Sequence, residues 1–361
     1  DLAFLCLSIP TRNLFLANIM NYKAIFIRLS VIFSCFAIIS CAGLEKNQES
    51  IDGFVRQMAS KHQFNESELA GLFDKVELND DIIKKISKPS EGLPWYKYRK
   101  IFLKEPRIKD GVQFWREHEQ TLASVEKKTG VPAAIIVAII GVETMYGKHT
   151  GNFRVIDALS TLAFAYPPRS PFFRSELEEF LLLCQEEHIN PLTPTGSYAG
   201  AMGIPQFMPS SYRHYAIDYN KDNRRDIWRN PDDVIASIAN YFAKHGWQTG
   251  QPVAALIRDK GHNSVTYPPL LKENLRFIKS NSANPNISKP LLSTNKAKII
   301  AFKQENGEEL WATSNNFYVI TRYNKSPLYA MAVFQLSLAI SNSRVTSFYE
   351  KNHSLASPPG S

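Results

Sequence analysis

The sequence contains little cysteine and lacks the short motifs that hold metal ions or phosphate groups. Only four of its 361 residues are cysteine, too few for the disulfide framework that stabilises small secreted proteins. The eight histidines show no His-Glu-x-x-His spacing, and no glycine-rich phosphate loop is present. These absences argue against a zinc protease and against a nucleotide-binding protein.

The sequence also lacks a strong excess of charge of one sign. Forty-two Lys and Arg against 34 Asp and Glu give a net charge of +8, without the dense basic run of a dedicated nucleic-acid binder. Hydrophobic residues at 44% and charged residues at 21% exclude global disorder, collagen and coiled coil. The length predicts about two domains, and the mild positive charge favours acidic polymers or surfaces.

The apolar run near the N-terminus is too short to span a bilayer. Leu29–Ile39 has 11 residues, whereas a spanning helix needs about 20. Because the basic residues Lys23 and Arg28 precede the run, we expect residues 1–40 to be an export signal whose natural start is Met20.

The run ends in Ile-Ile-Ser-Cys-Ala, which resembles the bacterial lipobox, with Cys41 as the acylated residue. We therefore expect a lipid anchor at Cys41 followed by a linker over 41–50. Ala42 stands after the cysteine where an Asp is absent, which resembles lipoproteins sorted to the outer membrane, so we expect an exported protein at the periplasmic face of that membrane. A plain signal peptide or a fortuitous cysteine is the alternative. Cleavage leaves Cys184 as the only thiol, and its apolar neighbours indicate a core residue.

Two helices are marked by residues typical of helix ends. Residues 132–146 are almost entirely apolar, with Pro132 suited to the first turn and Gly147 suited to the stop. Residues 231–243 follow Asn230, which is a favourable cap.

Helical periodicity fades between residues 250 and 315, where Asn, Ser and Pro collect. We expect a small, partly β insertion there. Phe317–Thr321 predicts a strand, because aromatic and β-branched residues favour strands, and Leu328–Ile340 predicts a last helix.

Glu143 is the first candidate for chemistry. It follows Ile136 and Ile139 by two turns and one turn on a helix that is apolar almost all round. Burial disfavours a charged carboxylate and raises its pKa, which a general acid at neutral pH requires. The alternative is an exposed or salt-bridged Glu at a helix end.

A glycine-rich segment over residues 196–210 is the second candidate. Its small residues let a ligand approach the backbone, while Ser197 and Gln206 supply hydrogen bonds. Ser197 is not in a nucleophile elbow, because that pattern needs Gly where Thr195 stands. The alternative is a glycine-rich turn before a helix.

Five ordered blocks resemble one family, the membrane-bound lytic murein transglycosylase B family. The blocks are Glu143-Thr144-x-x-Gly147, Tyr198–Gly203, Gln206–Ser211, Asn240–Phe242 with His245–Trp247, and Thr321–Asn324 with Tyr329–Val333. The resemblance runs from about residue 95 to 340 and is weakest between 250 and 315. One departure is Ile204-Pro205, where relatives usually carry an aromatic or glycine pair; Pro205 removes an amide donor.

The resemblance implies an α+β, mainly α fold, in which a lysozyme-like core carries an N-terminal helical domain and a small partly β insertion. The expected segments are the helical domain 51–120, the core 121–250 and 316–350, the insertion 251–315 and the tail 351–361.

The resemblance also implies a peptidoglycan lytic transglycosylase in which Glu143 is the single catalytic acid and then base, forming 1,6-anhydromuramic acid ends. The implied saccharide-binding residues are Tyr98, Ser197, Gln206, Tyr241, Asn324 and Tyr329. A hydrolytic muramidase and an inactive murein-binding scaffold remain as alternatives. The expected partners are glycan strands, the membrane and cell-wall enzyme complexes, with no nucleic acid, and we expect a monomer.

An EF-hand-like pattern follows, and the resemblance places a calcium loop there. Its candidate ligands are Asp218, Asn220, Asp222, Arg224 through its carbonyl, and Asp226. Two departures weaken the pattern: Asn223 replaces the turn glycine, and Arg229 stands where a bidentate carboxylate belongs. The alternatives are a vestigial loop and a calcium-regulated interaction protein. We expect no cofactor in the chemistry and treat calcium as structural.

Overall fold

The computed structural model describes residues 48–87, 92–257 and 297–356, with side chains as far as residue 346. The predicted signal, Cys41, most of the linker and the middle of the predicted insertion lie outside the described residues. Contacts within the chain divide it into two compact units, with the boundary between Val76 and Glu77.

Two helices form the described part of the first unit. Helix α1 occupies residues 48–62, and helix α2 spans Glu66–Phe73. Asn65 caps α2, since its side chain accepts a hydrogen bond from the amide of Glu68 at 3.0 Å. The rings of Phe54 and Phe73 meet edge to face at 5.8 Å, so the two helices share an aromatic contact.

The described part of the second unit is dominated by helices, as expected for a mainly α fold. They are α3 (Asp80–Ile86), α4 (Trp95–Phe102), α5 (Glu105–Glu117), α6 (Glu119–Thr129), α7 (Ala133–Thr144), α8 (Val155–Phe164), α9 (Ser170–Glu186), α10 (Pro209–Tyr215), α11 (Pro231–Lys244), α12 (Asn315–Tyr323) and α13 (Pro327–Ala356).

Two small antiparallel sheets complete the described second unit. Strands β1 (Phe153–Arg154) and β2 (Thr195–Gly196) pair with each other. Strands β3 (Ala254–Leu256), β4 (Lys298–Lys303) and β5 (Glu308–Thr313) form a sheet in the order β3-β5-β4. These three strands lie within the segment 251–315, where the sequence predicts partly β structure.

Helix α7 lies at the centre of the core. Ile135–Ile140 are at most 3% exposed, because the helix is apolar on every side and is packed on every side. Pro132, predicted to lie in the first turn, instead precedes the helix as its cap, so the helix starts one residue later than predicted. The predicted stop is wrong by two residues: the helix ends at Thr144, because Met145 already has a φ of 52°.

Helix α11 matches its prediction closely. Asn230 accepts a hydrogen bond from the amide of Asp232 at 3.0 Å, and the helix runs from Pro231 to Lys244. Cys184 on α9 is buried and free, which confirms that it is a core residue.

The predicted strand at Phe317–Thr321 is wrong, since these residues belong to helix α12. The strand preference of aromatic and β-branched residues misled here, because Phe317 and Ile320 are buried three residues apart on one face of a helix while Tyr318 is 55% exposed. The helix begins because Ser314 accepts the amide of Asn316 at 3.0 Å. Helix α13 starts at Pro327 and continues to Ala356, well past the predicted end.

Candidate active site

Glu143 lies in the last turn of α7, half-buried. Ile136 and Ile139, which precede it on the same face, are fully buried. Burial raises the pKa of Glu143 to about 7, although a hydrogen bond from Tyr329 lowers it in part. The expected rise in pKa is therefore present, and its main cause is the loss of solvation.

Two stacked tyrosines lie beside this carboxylate. Tyr329 near the start of α13 is 3% exposed, and its hydroxyl donates to Oε1 of Glu143 at 2.5 Å. The ring of Tyr323 is nearly parallel to that of Tyr329, with centroids 6.5 Å apart. Burial and the proximity of Glu143 raise both tyrosine pKa values, so both hydroxyls stay neutral donors.

The glycine-rich segment folds back on itself in a tight turn. The amide of Met202 donates to the carbonyl of Phe207 at 2.8 Å, and the amide of Phe207 donates back at 3.0 Å. We call the enclosed residues 203–206 the active-site turn. Gly203 and Gln206 have φ values of 66° and 52°, so both adopt the left-handed conformation that closes the turn.

The active-site turn is attached directly to the residue after Glu143. The hydroxyl of Thr144 donates to the carbonyl of Ile204 at 2.9 Å. The amide of Ile204 donates to the carbonyl of Ile227 at 2.9 Å, and the hydroxyl of Tyr323 donates to the carbonyl of Pro205 at 2.5 Å. Hydrogen bonds from three directions therefore fix this turn against the end of α7.

Two predicted binding residues belong to the glycine-rich segment. The side-chain nitrogen of Gln206 donates to the carbonyls of Thr150 and Gly203 at 3.0 and 2.8 Å. Both amide hydrogens are used inside the protein, so its carbonyl oxygen is the atom left for a ligand. The hydroxyl oxygen of Ser197 accepts the amides of Ala199 and Ala201, which leaves its hydrogen as a donor.

The other predicted binding residues lie in different surroundings. Tyr98 is half-buried on α4 and close enough to Tyr329 to raise its pKa. Tyr241 is only 7% exposed, and its hydroxyl donates to the carbonyl of Arg322 at 2.6 Å. Asn324 is exposed, and its side-chain oxygen accepts the amide of Ser326 at 3.0 Å.

Comparison with known proteins decides the family. Residues 46–338 match the family described as transglycosylase SLT domain. This chain belongs to that family. The expected relationship to membrane-bound lytic murein transglycosylase B, and with it the expected class of enzyme, is confirmed.

Individual transglycosylases show how far the similarity extends. Membrane-bound lytic murein transglycosylase B of Escherichia coli strain K12 is 38% identical over 309 residues, covering 83% of this chain and 84% of the relative. The crystal structure of soluble lytic transglycosylase SltB1 from Pseudomonas aeruginosa is 46% identical with a TM-score of 0.70, covering 82% and 99%. Lytic transglycosylase Slt35 of Escherichia coli, solved with calcium, is 37% identical with a TM-score of 0.70, covering 83% and 94%.

The fold likeness to these transglycosylases confirms the expected lysozyme-like, mainly α architecture. Among the described residues, no helix combines the length and apolar character needed to cross a membrane.

The acidic loop of this transglycosylase, residues 218–226, is held by its own side chains. Asp218 accepts the amide of Asp222 at 3.2 Å, and the amide nitrogen of the Asn220 side chain donates to Asp222 at 2.9 Å. Asn223 has a φ of 66°, so asparagine takes the left-handed position that glycine takes in the usual loop.

The remaining loop positions are less suited to a metal ion. Asp226 accepts the amide of Arg229 at 2.9 Å, and Arg224 is exposed. Asp233 on α11 is fully buried and accepts the amides of Tyr219 and Asp226 at 2.8 and 2.9 Å. Within the described ranges, no three His, Cys, Asp or Glu side chains form a group that could hold a metal ion.

Sequence reasoning missed three residues that organise the site. Tyr323 and Thr144 stand inside quoted motifs, next to residues chosen for binding or catalysis, but nothing local shows that they hold the active-site turn. Asp233 lies in the first turn of α11, where the helix dipole alone favours an acidic residue. Its neighbour Asp232 is at the surface, and the contrast between a buried and an accessible Asp is a tertiary property that the sequence does not display.

Proposed function

We propose that this transglycosylase cleaves the β-1,4 bond between N-acetylmuramic acid and N-acetylglucosamine, and that Glu143 is its acid and then its base. The observation that carries the proposal is the half-buried Glu143 with a pKa of about 7, bonded to Tyr329. At neutral pH such a carboxyl group exists in both protonation states, as a group that first gives and then takes a proton requires.

The proposed reaction needs no second carboxylate and no water. Protonated Glu143 gives its proton to the glycosidic oxygen as the bond from that oxygen to the muramic C1 breaks. The resulting carboxylate then takes the proton of the muramic C6 hydroxyl while O6 bonds to C1, which closes the 1,6-anhydro ring. Glu143 ends protonated as it began, so the reaction is balanced without a cofactor.

The proposed substrate contacts follow from the groups that the site leaves available. Gln206 offers its side-chain oxygen to an N–H or O–H of the sugar, and Ser197 offers its hydroxyl hydrogen. The remaining proposed contacts are made by Tyr98, Tyr241, Asn324 and Tyr329. The contacts of Tyr241 and Tyr329 are limited to a small area, because these residues are only 7% and 3% exposed.

Product analysis in heavy-oxygen water tests the reaction class. Peptidoglycan sacculi digested in H₂¹⁸O should release fragments that are one water lighter than reducing ends and that carry no ¹⁸O. Hydrolysis, as by an ordinary muramidase, would instead add one ¹⁸O atom per cut. An inactive murein-binding scaffold would sediment with the sacculi and release no fragments.

We also propose that the enzyme is a monomeric lipoprotein, anchored through Cys41 at the periplasmic face of the outer membrane and available to cell-wall enzyme complexes. The name of the Escherichia coli relative states that it is membrane-bound, which supports a place in the cell envelope. Mass spectrometry of the mature N-terminus tests the anchor: an acylated Cys41 supports it, and an unmodified cleaved terminus contradicts it.

We further propose that the protein has a helical domain over residues 51–120 and a core in two parts, residues 121–250 and 316–350. Limited proteolysis tests it, because stable fragments should begin or end near those limits.

We propose a structural calcium ion for the acidic loop, held by Asp218, Asn220, Asp222, the carbonyl of Arg224 and Asp226. Burial and the nearby charges of Asp218 and Asp222 raise the pKa of Asp233, and a cation would offset this repulsion. The relative Slt35 has been solved in complex with calcium. Arg229 opposes the proposal, because it replaces two oxygen ligands by a positive charge.

Thermal unfolding with calcium or with a chelator tests this ion. Bound calcium should raise the melting temperature, and Asp218→Asn should abolish the increase. An identical melting temperature in both solutions would leave the loop as a vestigial element held by its own hydrogen bonds. Loss of a protein partner on chelation would favour the calcium-regulated interaction protein.

A further inference from the structure

The chain leaves the helix that carries Glu143 through a strained turn. Met145, Tyr146 and Gly147 follow in succession with φ values of 52°, 60° and 86°. Residues with a Cβ atom rarely adopt this conformation, and they keep it only where the surrounding structure holds them. The end of α7 therefore depends on contacts made by Met145 or Tyr146.

Tyr146 makes such contacts with helix α5. Its hydroxyl donates to the carbonyl of Arg107 at 2.9 Å, and its ring centroid lies 5.7 Å from that of Phe114. Its phenol oxygen lies in a slot between Gly111 on α5 and Gly141 on α7, where a methyl group on either glycine would collide with it. Two facing glycines thus make the space that one tyrosine fills.

Different titratable groups surround Tyr146 and Glu143. Burial raises the pKa of the Tyr146 hydroxyl. The charge of Arg107 lowers this pKa and that of Asp110 raises it to a smaller extent, so the hydroxyl stays a neutral donor. The titratable groups that face Glu143 are instead Tyr329 and Tyr323. Tyr146 therefore acts on Glu143 through geometry.

We propose that Tyr146 is a positioning residue, which locks the end of α7 onto α5 and so keeps Glu143 directed at Tyr329. Glu143 lies in the last turn of its helix, where helices tend to fray, and only three residues before Tyr146. An error of 1 Å in the place of a reacting group costs about a hundredfold in rate. The inference rests on the proposed role of Glu143.

Three variants separate the parts of this lock. Tyr146→Phe removes only the bond to Arg107, Tyr146→Leu also empties the slot, and Gly141→Ala fills the slot without altering Tyr146. The rate is measured from pH 5 to 9 on soluble glycan strands with the full chain. We expect Tyr146→Leu and Gly141→Ala to lower kcat by about a hundredfold with KM within about twofold. Tyr146→Phe should retain most of the rate and show a smaller shift of the pH profile than the other two variants, in the same direction.

The pH profile distinguishes positioning from mere stability. A loosened α7 end lets water reach Glu143, which lowers its pKa, and weakens the bond from Tyr329, which raises it. Burial is the larger of these two causes, so the pKa of Glu143 falls, and the fall of the rate at high pH, which we call the high-pH limb, moves to lower pH. Tyr212→Phe is the matched control, because the buried Tyr212 donates to the carbonyl of Arg225 at 2.7 Å. This control variant should be less stable than the wild type, and the high-pH limb of its rate profile should stay at the wild-type pH.

The outcomes decide the proposal in each case. The proposal is overturned if Tyr146→Leu and Gly141→Ala keep the high-pH limb of the wild type. Their lower rates would then reflect only the smaller fraction of folded protein. If those two variants do not fold, the pH profile of Tyr146→Phe decides. A high-pH limb at lower pH than in Tyr212→Phe supports the attachment of the α7 end to α5, and a limb at the same pH as in Tyr212→Phe refutes it. A wild-type enzyme that leaves glycan strands uncut would refute the proposed function instead.

Discussion

The hydroxyl of Tyr329 donates to Oε1 of Glu143 at 2.5 Å across 186 residues of sequence. A hydrogen bond to a carboxylate favours its charged form, so this bond opposes the rise in pKa that burial imposes. The balance leaves the pKa of Glu143 at about 7. In the proposed mechanism, the two residues together therefore set the pH above which the first proton transfer is lost.

Tyr329→Phe should move the high-pH limb of activity to higher pH. In the wild type, kcat/KM should fall as the pH rises through about 7, because Glu143 loses the proton that it must donate. Phenylalanine cannot donate to the carboxylate, so the pKa of Glu143 rises and the limb follows it. The measurement is the rate of soluble product release from sacculi between pH 5 and 9.

Tyr318→Phe is the control for this shift. Tyr318 lies on α12 and is 55% exposed, so its variant should keep the wild-type profile. A profile in Tyr329→Phe that coincides with that of Tyr318→Phe would show that the bond does not tune Glu143.

Glu143→Gln should remove activity and keep binding. The amide matches the carboxyl group in size but neither donates nor accepts the transferred proton, and the loss of general acid–base catalysis costs about 10²–10⁴-fold in rate. Co-sedimentation with sacculi should be unchanged, since the side-chain oxygen still accepts from Tyr329. Turnover at the wild-type rate would contradict the assigned role.

The same substitution should stabilise the fold at high pH. Folded Glu143 keeps its proton up to about pH 7, whereas the group has an ordinary pKa of 4.5 when unfolded. Between these values the folded state binds more protons, so the free energy of unfolding falls as the pH rises. Glu143→Gln removes this loss and should gain roughly 2–4 kcal/mol at pH 8.

Urea unfolding at pH 4 and pH 8 measures this gain. At pH 4 the carboxyl group is protonated in both states of the wild type, so the two proteins should differ little. A variant no more stable than the wild type at pH 8 would show that Glu143 is better solvated than its surroundings indicate.

The central helix could be predicted because its signals are local. An unbroken apolar run with Pro132 before it marks α7, and a single carboxylate on that run marks Glu143. The burial that raises the pKa of Glu143 follows from the same run. The left-handed Met145 could not be predicted, because its conformation depends on how Tyr146 is held by another helix.

The partners of Glu143 could not be predicted from local pattern. Tyr329 and Tyr323 come from helices that follow it by almost 200 residues, and only tertiary packing brings them to the carboxylate. The resemblance implies that Tyr329 contacts sugar, and it gives no sign that the hydroxyl of Tyr329 also donates to Glu143. The wrong strand at Phe317–Thr321 has a related cause, since the cap at Ser314 outweighs the strand preference of the residues that follow.

Thr144→Val should weaken the attachment of the active-site turn. Valine keeps the shape of threonine but cannot donate to the carbonyl of Ile204, and a buried carbonyl without its donor costs about 1–3 kcal/mol. We expect lower stability together with a lower kcat, since this turn lies against the end of α7. Thr346→Val is the control, because Thr346 is exposed and bonds only within its own helix at Asn342. Equal losses of stability and of kcat in Thr144→Val and Thr346→Val would contradict the attachment of the turn through Thr144.

Gly203→Ala should damage the active-site turn by close approach as well as by backbone strain. A Cβ atom at Gly203 would lie 2.6 Å from the carbonyl oxygen of Ile227, and its φ of 66° is unfavourable for alanine by roughly 1–2 kcal/mol. Gly250→Ala separates the two effects, because Gly250 has a φ of 75° with nothing within 4 Å of the added atom. The collision should therefore cost Gly203→Ala about 1–3 kcal/mol more than Gly250→Ala, and only Gly203→Ala should lose activity. Equal melting temperatures and equal rates for the two variants would mean that the turn can move away from Ile227 without consequence for Glu143.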